Sequence, residues 1–355
     1  MRLSGDGEGP DSGAMRQLTF IKPGAFEWHD VAAPALKADT DAIVRPLVVA
    51  RCDLDLYIAT GRAPFKGPFA FGHEAVGVVT EAGPHAGVAP GESVVVPFQM
   101  SCGRCASCRR GYTATCAAYP PRAAYGLKPS CGTEFGGAIS DAMYVPFADH
   151  MLVKLPDGLD PLAVASISDN LPDGWRAVAP HIAARPGANV LVIGGLAQSV
   201  GLYAAGAAAS FGADTLYLDD DPVRRALAQK MGARAEPLNL KDRAPLKCEI
   251  VVDANGDPDA LRYAIHSTLP NGVLTSVAMY FDDLVGLPLR IMYAKGITFH
   301  TSRVDARAHL PDVLAHCARG HFHPDAVTTR VVPFSNAAEG ALDPSPKVVW
   351  TNDWA

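Results

Sequence analysis

The apolar positions along the chain follow two patterns, which change near residue 169. In the first part, short runs rich in valine and other apolar residues are separated by Gly and Pro, as is typical of strands joined by turns. These patterns predict strands at residues 42–50, 75–81, 93–98 and 142–146. No long segment there has helical periodicity, so we expect an irregular β domain.

From residue 169 to about 301, apolar runs alternate with helical segments. The pattern predicts strands at 189–195, 214–219, 249–255 and 272–280, and helices at 197–211, 222–231 and 258–269. Strand–helix alternation of this kind indicates a doubly wound parallel sheet. Near the end, a helix at 306–319 and short strands at 329–333 and 347–351 are expected.

Composition narrows the class of protein. With 355 residues, 48% of them hydrophobic and 19% charged, the chain is long and apolar enough for two globular domains. A net charge of -6 argues against nucleic-acid binding, and no apolar run reaches the roughly 18 residues that span a bilayer. Residues 1–14 are small, acidic and Gly-rich and are expected to form a disordered tail. Since they do not resemble a signal peptide, we expect a cytoplasmic protein with reduced cysteines.

Four of the eight cysteines form the pattern C-x2-C-x2-C-x7-C, namely Cys102, Cys105, Cys108 and Cys116. Four thiolates this close can surround one tetrahedral zinc, and such a closed shell leaves no position for substrate. Unrelated buried thiols rarely have two successive x2 gaps. An iron–sulfur cluster is the chemical rival, but no second cluster motif or following Cys-Pro is present. The cluster is therefore predicted to be a structural zinc site.

A second set of residues suggests an open metal site. Cys52 and His73 are 21 residues apart, and Glu74 follows His73. A lone cysteine is usually a core residue and a lone histidine a satisfied polar group. Together with a later carboxylate, for which Asp169 is the candidate, they form a three-ligand zinc site with room for water or substrate.

The strand predicted at 189–195 runs into a Gly-rich turn and a helix, where backbone amides can bind a pyrophosphate. The turn departs from G-x-G-x-x-G, because the middle glycine is missing and the loop is one residue longer. A tight strand–helix turn needs glycines in any case. The cofactor-binding candidates in this segment are Gly194, Gly195, Leu196, Gln198, Ser199, Val200 and Gly201.

Asp219 ends the next predicted strand, 18 residues after Gly201. A carboxylate at this place accepts hydrogen bonds from the adenine ribose and repels a 2′-phosphate, so NAD is favoured over NADP. Asp220 and Asp221 add to that repulsion. Arg224 could bind a phosphate, although it more simply lies on the following helix.

These motifs resemble the zinc-containing medium-chain dehydrogenases, which include alcohol, sorbitol, threonine and formaldehyde dehydrogenases. The resemblance covers about residues 15–350 and is carried by Gly72-His73-Glu74, the four cysteines, Cys52 with Asp55, and the turn with Asp219. It implies an α/β fold. A GroES-like catalytic domain (15–168 and 302–355, with a zinc lobe at 100–118) would surround a Rossmann NAD-binding domain (169–301).

The resemblance also implies roles for individual residues. Cys52, His73 and Asp169 would bind the catalytic zinc, with aspartate in the third position as in members similar to formaldehyde dehydrogenase. Glu74 would be a carboxylate that can approach the metal, and Asp55 would support the imidazole of His73. The family further implies a small alcohol or carbonyl substrate and a homodimer or homotetramer.

Four positions depart from the family pattern. Leu54 stands where relatives have a Ser or Thr that starts a proton relay, and Tyr57 stands where some have a relay histidine. Asp53 replaces a basic residue that some relatives place on the pyrophosphate, and Asp173 replaces a small Thr near the nicotinamide. These changes concern the proton path and the substrate more than the fold.

We therefore expect an oxidoreductase with two zinc ions per chain that transfers hydride between an alcohol and NAD. One alternative is a zinc-free reductase of enones or quinones, which the metal-ligand set disfavours. Another is a catalytically weakened nucleotide-binding protein, suggested by Leu54 and Asp53. The sequence does not identify the substrate, and the pocket candidates are Tyr57, Phe98, Tyr119, Trp175 and Met279.

Overall fold

The computed structural model describes residues 13–241 and 246–354. The predicted tail lies outside the described residues up to position 12, and Ala14 already begins the first strand. The elements of the first part are β1 (Ala14–Lys22), β2 (Ala25–Ala32), β3 (Ala42–Ala50), α1 (Asp53–Ala59), β4 (Phe69–Ala70), β5 (Glu74–Ala82), β6 (Ser93–Val96), α2 (Ala106–Arg109), α3 (Lys128–Cys131), β7 (Met143–Val145), α4 (Ala148–Met151) and β8 (Val153–Lys154). Two 3-10 helices, Thr113–Thr115 and Pro161–Ser168, complete it.

Alternating strands and helices follow. They are α5 (Asn170–Arg176), α6 (Ala179–Ala184), β9 (Val190–Ile193), α7 (Gln198–Ser210), β10 (Thr215–Leu218), α8 (Pro222–Lys230), β11 (Arg234–Glu236), β12 (Cys248–Asp253), α9 (Pro258–Ser267), β13 (Thr268–Ser276), α10 (Leu289–Lys295) and β14 (Thr298–Thr301). The chain closes with α11 (Ala306–Ala318), β15 (Arg330–Pro333), α12 (Ala337–Leu342) and β16 (Val348–Thr351), and with 3-10 helices at Pro324–Val327 and Phe334–Asn336.

The second half forms a parallel sheet with the strand order β11-β10-β9-β12-β13-β14. The order reverses between β9 and β12, and ligands of open α/β sheets bind in the crevice at such a point. β9 is buried along its whole length, as expected of a strand covered on both faces. α7 is rich in Ala and Gly, which lets it pack closely on this sheet.

A second, largely antiparallel sheet is built from both ends of the chain. β3 pairs with β5 on one side and with β16 on the other, in the order β15-β16-β3-β5-β6-β8. β16 is buried from Val348 to Trp350, so the last strands complete the core of this sheet. The predicted α/β fold is confirmed, and the exact domain boundaries stay a prediction.

Two element predictions need correction. The segment 272–280 is not one strand, because β13 begins at Thr268 and ends at Ser276. The chain then leaves the sheet, and the Tyr280 hydroxyl donates to Asp253. No helix was expected after Cys52, but α1 forms there, and the Asp55 carboxylate accepts from the Cys52 amide at its start. In the part of the chain that the structure describes, every helix is too short or too polar to cross a membrane.

Candidate active site

Cys52, His73, Glu74 and Asp169 come together from separate segments. Cys52 caps α1, His73 directly precedes β5, and Asp169 lies between the 3-10 helix Pro161–Ser168 and α5. One ligand atom from each of the four residues lies within 4.8 Å of the others, and all four side chains are buried. The group can hold a metal ion through a thiolate, an imidazole and carboxylate oxygens.

The charges around this group fit a divalent cation. Burial raises the pKa of the Cys52 thiol, and it raises the pKa of Glu74 to about 8. Although burial lowers it, the carboxylates of Asp55 and Asp169 raise the pKa of His73 to about 9. Several buried acidic groups therefore face one imidazole, and Glu74 Oε2 has no hydrogen-bond partner among the residues that the structure describes. Zinc has the ligand preferences and the charge that this donor set requires.

Asn170 and Lys347 surround the group and were not predicted. The Asn170 amide lies 3.3 Å from Cys52 Sγ and 3.2 Å from Asp169 Oδ2. The buried Lys347 ammonium donates to Asn170 Oδ1 at 2.8 Å and to the Arg51 carbonyl at 2.6 Å. The only sequence signal for Lys347 is a charged residue that opens the apolar run of β16.

A cavity of about 470 Å³ lies beside the group and is lined by Cys52, His73 and Asp169. Leu54, Tyr57 and Asp173 also line it, and burial raises the pKa of Asp173 to about 6 although Arg176 pairs with it at 2.6 Å. Of the predicted pocket residues, Tyr57, Phe98 and Met279 line this cavity and Tyr119 lines a neighbouring one. Trp175 does neither, because its ring packs against Phe211 and His316.

The Gly-rich turn lies at the crevice between β9 and β12. A Cβ on Gly194 would come within 2.2 Å of both the Tyr217 hydroxyl and the Asp219 carboxylate, so no side chain fits there. The Leu196 and Ala197 amides donate to carbonyls just after β12. Gly194 and Gly195 precede α7, and Leu196 and Val200 line the cavity. The first turn of α7 contains Gln198, Ser199 and Gly201.

Four of the predicted cofactor-binding residues, namely Ser199, Val200, Asp219 and Arg224, form hydrogen bonds within the protein. Asp53 accepts hydrogen bonds from the Ser199 and Val200 amides, at 2.9 and 3.3 Å. Asp219, predicted to face a ribose, is only 1% exposed. Arg224, which the sequence placed on the following helix α8, does lie there, and its guanidinium pairs with both Asp219 oxygens at 2.6 and 2.7 Å.

The four-cysteine lobe is as compact as the group of Cys52, His73, Glu74 and Asp169. The sulfur atoms of Cys102, Cys105, Cys108 and Cys116 lie within 4.8 Å of one another. Backbone amides point at them, as at Cys116 Sγ, which lies 3.3 Å from the Cys102 amide and 3.4 Å from that of Ala118. Gly103 turns the loop with a φ of 69°, and a Cβ there would strike the His150 ring. The lobe can hold a tetrahedral metal ion.

Comparisons with known proteins agree with this geometry. Residues 38–157 match the alcohol dehydrogenase GroES-like domain. A probable zinc-binding alcohol dehydrogenase of Mycobacterium tuberculosis is 28% identical over 333 residues, which are 92% of this chain and 84% of that protein. A medium chain reductase/dehydrogenase of an Acremonium species is 30% identical over 289 residues, 76% of this chain and 95% of the relative.

The chain belongs to the medium-chain dehydrogenase/reductase family, and its first part matches the domain model of the alcohol dehydrogenases. The solved structure of the alcohol dehydrogenase TADH from Thermus sp. ATN1 is 28% identical and has a TM-score of 0.84, with 95% of this chain and 99% of that one covered. The family resemblance drawn from the sequence is thus confirmed. As a member of this family, the chain is an oxidoreductase of the alcohol dehydrogenase type.

Proposed function

We propose that this dehydrogenase uses zinc on Cys52, His73 and Asp169 and transfers hydride between a small alcohol, or its carbonyl product, and NAD. The observation that carries the proposal is the four-residue donor group, which opens on a cavity at the strand-order reversal of the parallel sheet. Cytoplasmic location, a homo-oligomeric state and the preference for NAD over NADP stay predictions.

Zinc, when bound, supplies a Lewis acid that lowers the pKa of a substrate hydroxyl, and NAD supplies the hydride acceptor. The residues of the chain position the metal ligands and shield the reacting atoms from water. Asp55 orients the His73 ring, while Asn170 donates to the Cys52 sulfur and holds Asp169. Phe98, Leu127 and Val277 contribute apolar walls to the cavity. These walls exclude water from the reacting atoms.

Residue 54 takes no part in proton transfer. Leu54 lines the cavity where relatives have a hydroxyl, and it carries no proton. Tyr57, one turn further along α1, lines the same cavity, and the Arg62 guanidinium lies 4.4 Å from the centre of its ring. A proton leaving the substrate oxygen passes through Tyr57, Glu74 or water.

Zinc content and turnover test the proposal together. We expect about two zinc ions per chain and NADH formation with members of an alcohol panel. Cys52→Ala should retain about one zinc and lose turnover. Cys131→Ala removes a cysteine outside both clusters and should change neither quantity. Turnover that persists in Cys52→Ala would refute the zinc assignment.

A second candidate function is favoured by the contact between Asp53 and Ser199. It is a zinc protein of the same fold in which dinucleotide-dependent catalysis is weakened. NADH binding without turnover over a broad panel of alcohols and aldehydes would support this candidate. Turnover with any of them supports the first.

A further inference from the structure

A carboxylate of the chain itself covers the start of α7. Asp53, the first residue of α1, accepts from the Ser199 amide at 2.9 Å, the Ser199 hydroxyl at 2.9 Å and the Val200 amide at 3.3 Å. The free amides and the dipole at a helix N-terminus attract an anion. Asp53 is that anion here.

The same amides are those that a dinucleotide would need. α7 follows β9 at the strand-order reversal, where a pyrophosphate lies on the helix start in folds of this class. The amides of Leu196 and Ala197 are already used by backbone carbonyls. A pyrophosphate placed on the Ser199 and Val200 amides would meet the Asp53 carboxylate there, and the two like charges would repel each other.

Asp219, the residue predicted to bind the adenine ribose, also has its hydrogen bonds made within the protein. Both oxygens of Asp219 are taken by Arg224, one also by the Tyr217 hydroxyl and the other by the Asp221 amide. A ribose can reach this carboxylate only if Arg224 gives up part of its pairing. The hydrogen-bonding capacity of the Asp219 carboxylate is thus taken up by groups of the protein itself.

We propose that Asp53 is an internal substitute for the pyrophosphate, which sets dinucleotide affinity by having to leave Ser199 and Val200 before the cofactor binds. The proposal rests on the dinucleotide-linked function given above. Asp53 directly follows Cys52, and its amide lies 3.3 Å from Asn170 Oδ1, whose amide group contacts the Cys52 sulfur. Displacement of Asp53 therefore couples cofactor binding to the geometry of the metal group.

Direct binding of NADH to the zinc-loaded full chain tests the proposal. Asp53→Asn removes the competing charge but keeps the side-chain volume, and should lower the Kd for NADH by about tenfold or more. Asp160→Asn is the matched control. Asp160 also caps a helix start, that of Pro161–Ser168, through the Leu162 amide, but it lies outside the groove, so this variant should bind NADH like the parent.

The outcomes separate this proposal from the proposed function. If the parent chain binds NADH and Asp53→Asn binds it equally or more weakly, the competition is refuted while the dinucleotide-linked function stands. If neither chain binds NADH or NADPH, both the competition and the dinucleotide-linked function are refuted. A purely structural role of Asp53 would lower the unfolding temperature of the free variant without tightening NADH binding, which also refutes the proposal.

An independent observation concerns Arg303, between β14 and α11. Its Nη1 atom is buried, and within the described residues it has no hydrogen-bond partner. Arg303 lines the catalytic cavity and also a neighbouring cavity of about 750 Å³ beside the cysteine lobe. A second arginine, Arg122, lines that neighbouring cavity with a left-handed φ of 68°, which non-glycine residues rarely adopt.

Burying an unpaired guanidinium nitrogen is costly unless a ligand completes its hydrogen bonds. We infer that Arg303 holds a carboxylate or phosphate group of the substrate, with Arg122 nearby, while the reacting oxygen reaches the Cys52–His73–Asp169 group. The substrate class is then an alcohol or carbonyl compound that carries an anionic group. This inference also rests on the proposed function of the cavity.

Succinate and inorganic phosphate serve as probes, since they need no turnover. Calorimetry should show binding of at least one of them to the zinc-loaded chain, weakened about tenfold or more in Arg303→Gln. Arg290→Gln, outside both cavities, should leave the affinity unchanged. Absence of binding to the parent, or equal affinity in Arg303→Gln, overturns the inference, whereas the zinc and NADH measurements are unaffected by either result.

Discussion

The Asp55 carboxylate Oδ1 lies 3.6 Å from His73 Nδ1, and neither of these buried atoms has a hydrogen-bond partner in residues 13–241 and 246–354. A small shift would bring them into hydrogen-bond contact, which would leave Nε2 of the ring free to bind a metal ion. A carboxylate in this place fixes the tautomer and orientation of a ligating imidazole.

Asp55→Asn should therefore weaken zinc binding at the catalytic group by about 10- to 100-fold. Competition with a chelator, followed by elemental analysis, measures this change. The four-cysteine lobe in the same chain is an internal control, and its affinity should not change. If the catalytic site of the variant resisted the chelator as well as that of the parent, Asp55 would not support His73.

Lys347 and Glu74 form a second buried pair, with 3.5 Å between the ammonium and the carboxylate. Lys347→Met removes the buried donor to the Arg51 carbonyl and Asn170 Oδ1 and, where Glu74 is ionised, its cation, and should cost about 3 kcal/mol of stability. The double variant Lys347→Met/Glu74→Gln should recover part of this loss, as measured by denaturant unfolding. A double variant as unstable as the sum of the single variants would mean that the pair is not coupled.

Cys105 is the least buried of the four lobe cysteines. Cys105→Ser replaces a thiolate ligand by a poorer one and should lower the zinc content by about one ion per chain. The remaining zinc should still be lost on Cys52→Ala in the same background. A Cys105→Ser chain that keeps about two zinc ions would show that the lobe does not bind metal through this residue.

His181 makes the stability depend on pH. Burial, together with the nearby His300 ring, lowers the pKa of His181 to about 4, while the unfolded side chain titrates near 6.5. Between these values the unfolded chain binds more protons than the folded one, so this group reduces stability as pH falls from 6.5 through 4.

His181→Gln should therefore lose less stability than the parent between pH 7 and pH 5. Unfolding by urea at both values gives the comparison. Parallel loss in the two chains would mean that His181 is protonated in the folded state. His85→Gln, at a histidine between β5 and β6 of the antiparallel sheet, serves as the control.

The sequence predicted the elements whose pattern is local. β3 was predicted with its exact bounds, and α7 and β5 to within one residue at each end, because alternating or continuous apolar runs depend only on which face is buried. α1 was missed, since Asp53-Leu54-Asp55-Leu56 alternates like a strand, and a helix there depends on the Asp55 carboxylate meeting the Cys52 amide.

By itself, the sequence predicted the candidate metal ligands and turn glycines, because the four cysteines and the Gly-rich turn have short spacings and the Gly72-His73-Glu74 motif is local. Only the tertiary structure decided which charged and polar side chains contact one another. Asp53 and Ser199 are 146 residues apart, and Lys347 lies 177 residues from Asn170. Contacts at such separations depend on how whole sheets and helices pack. Local spacing therefore predicts the four-cysteine lobe and the motif that contains His73, whereas the contact of the Asp53 carboxylate with α7 is visible only in the fold.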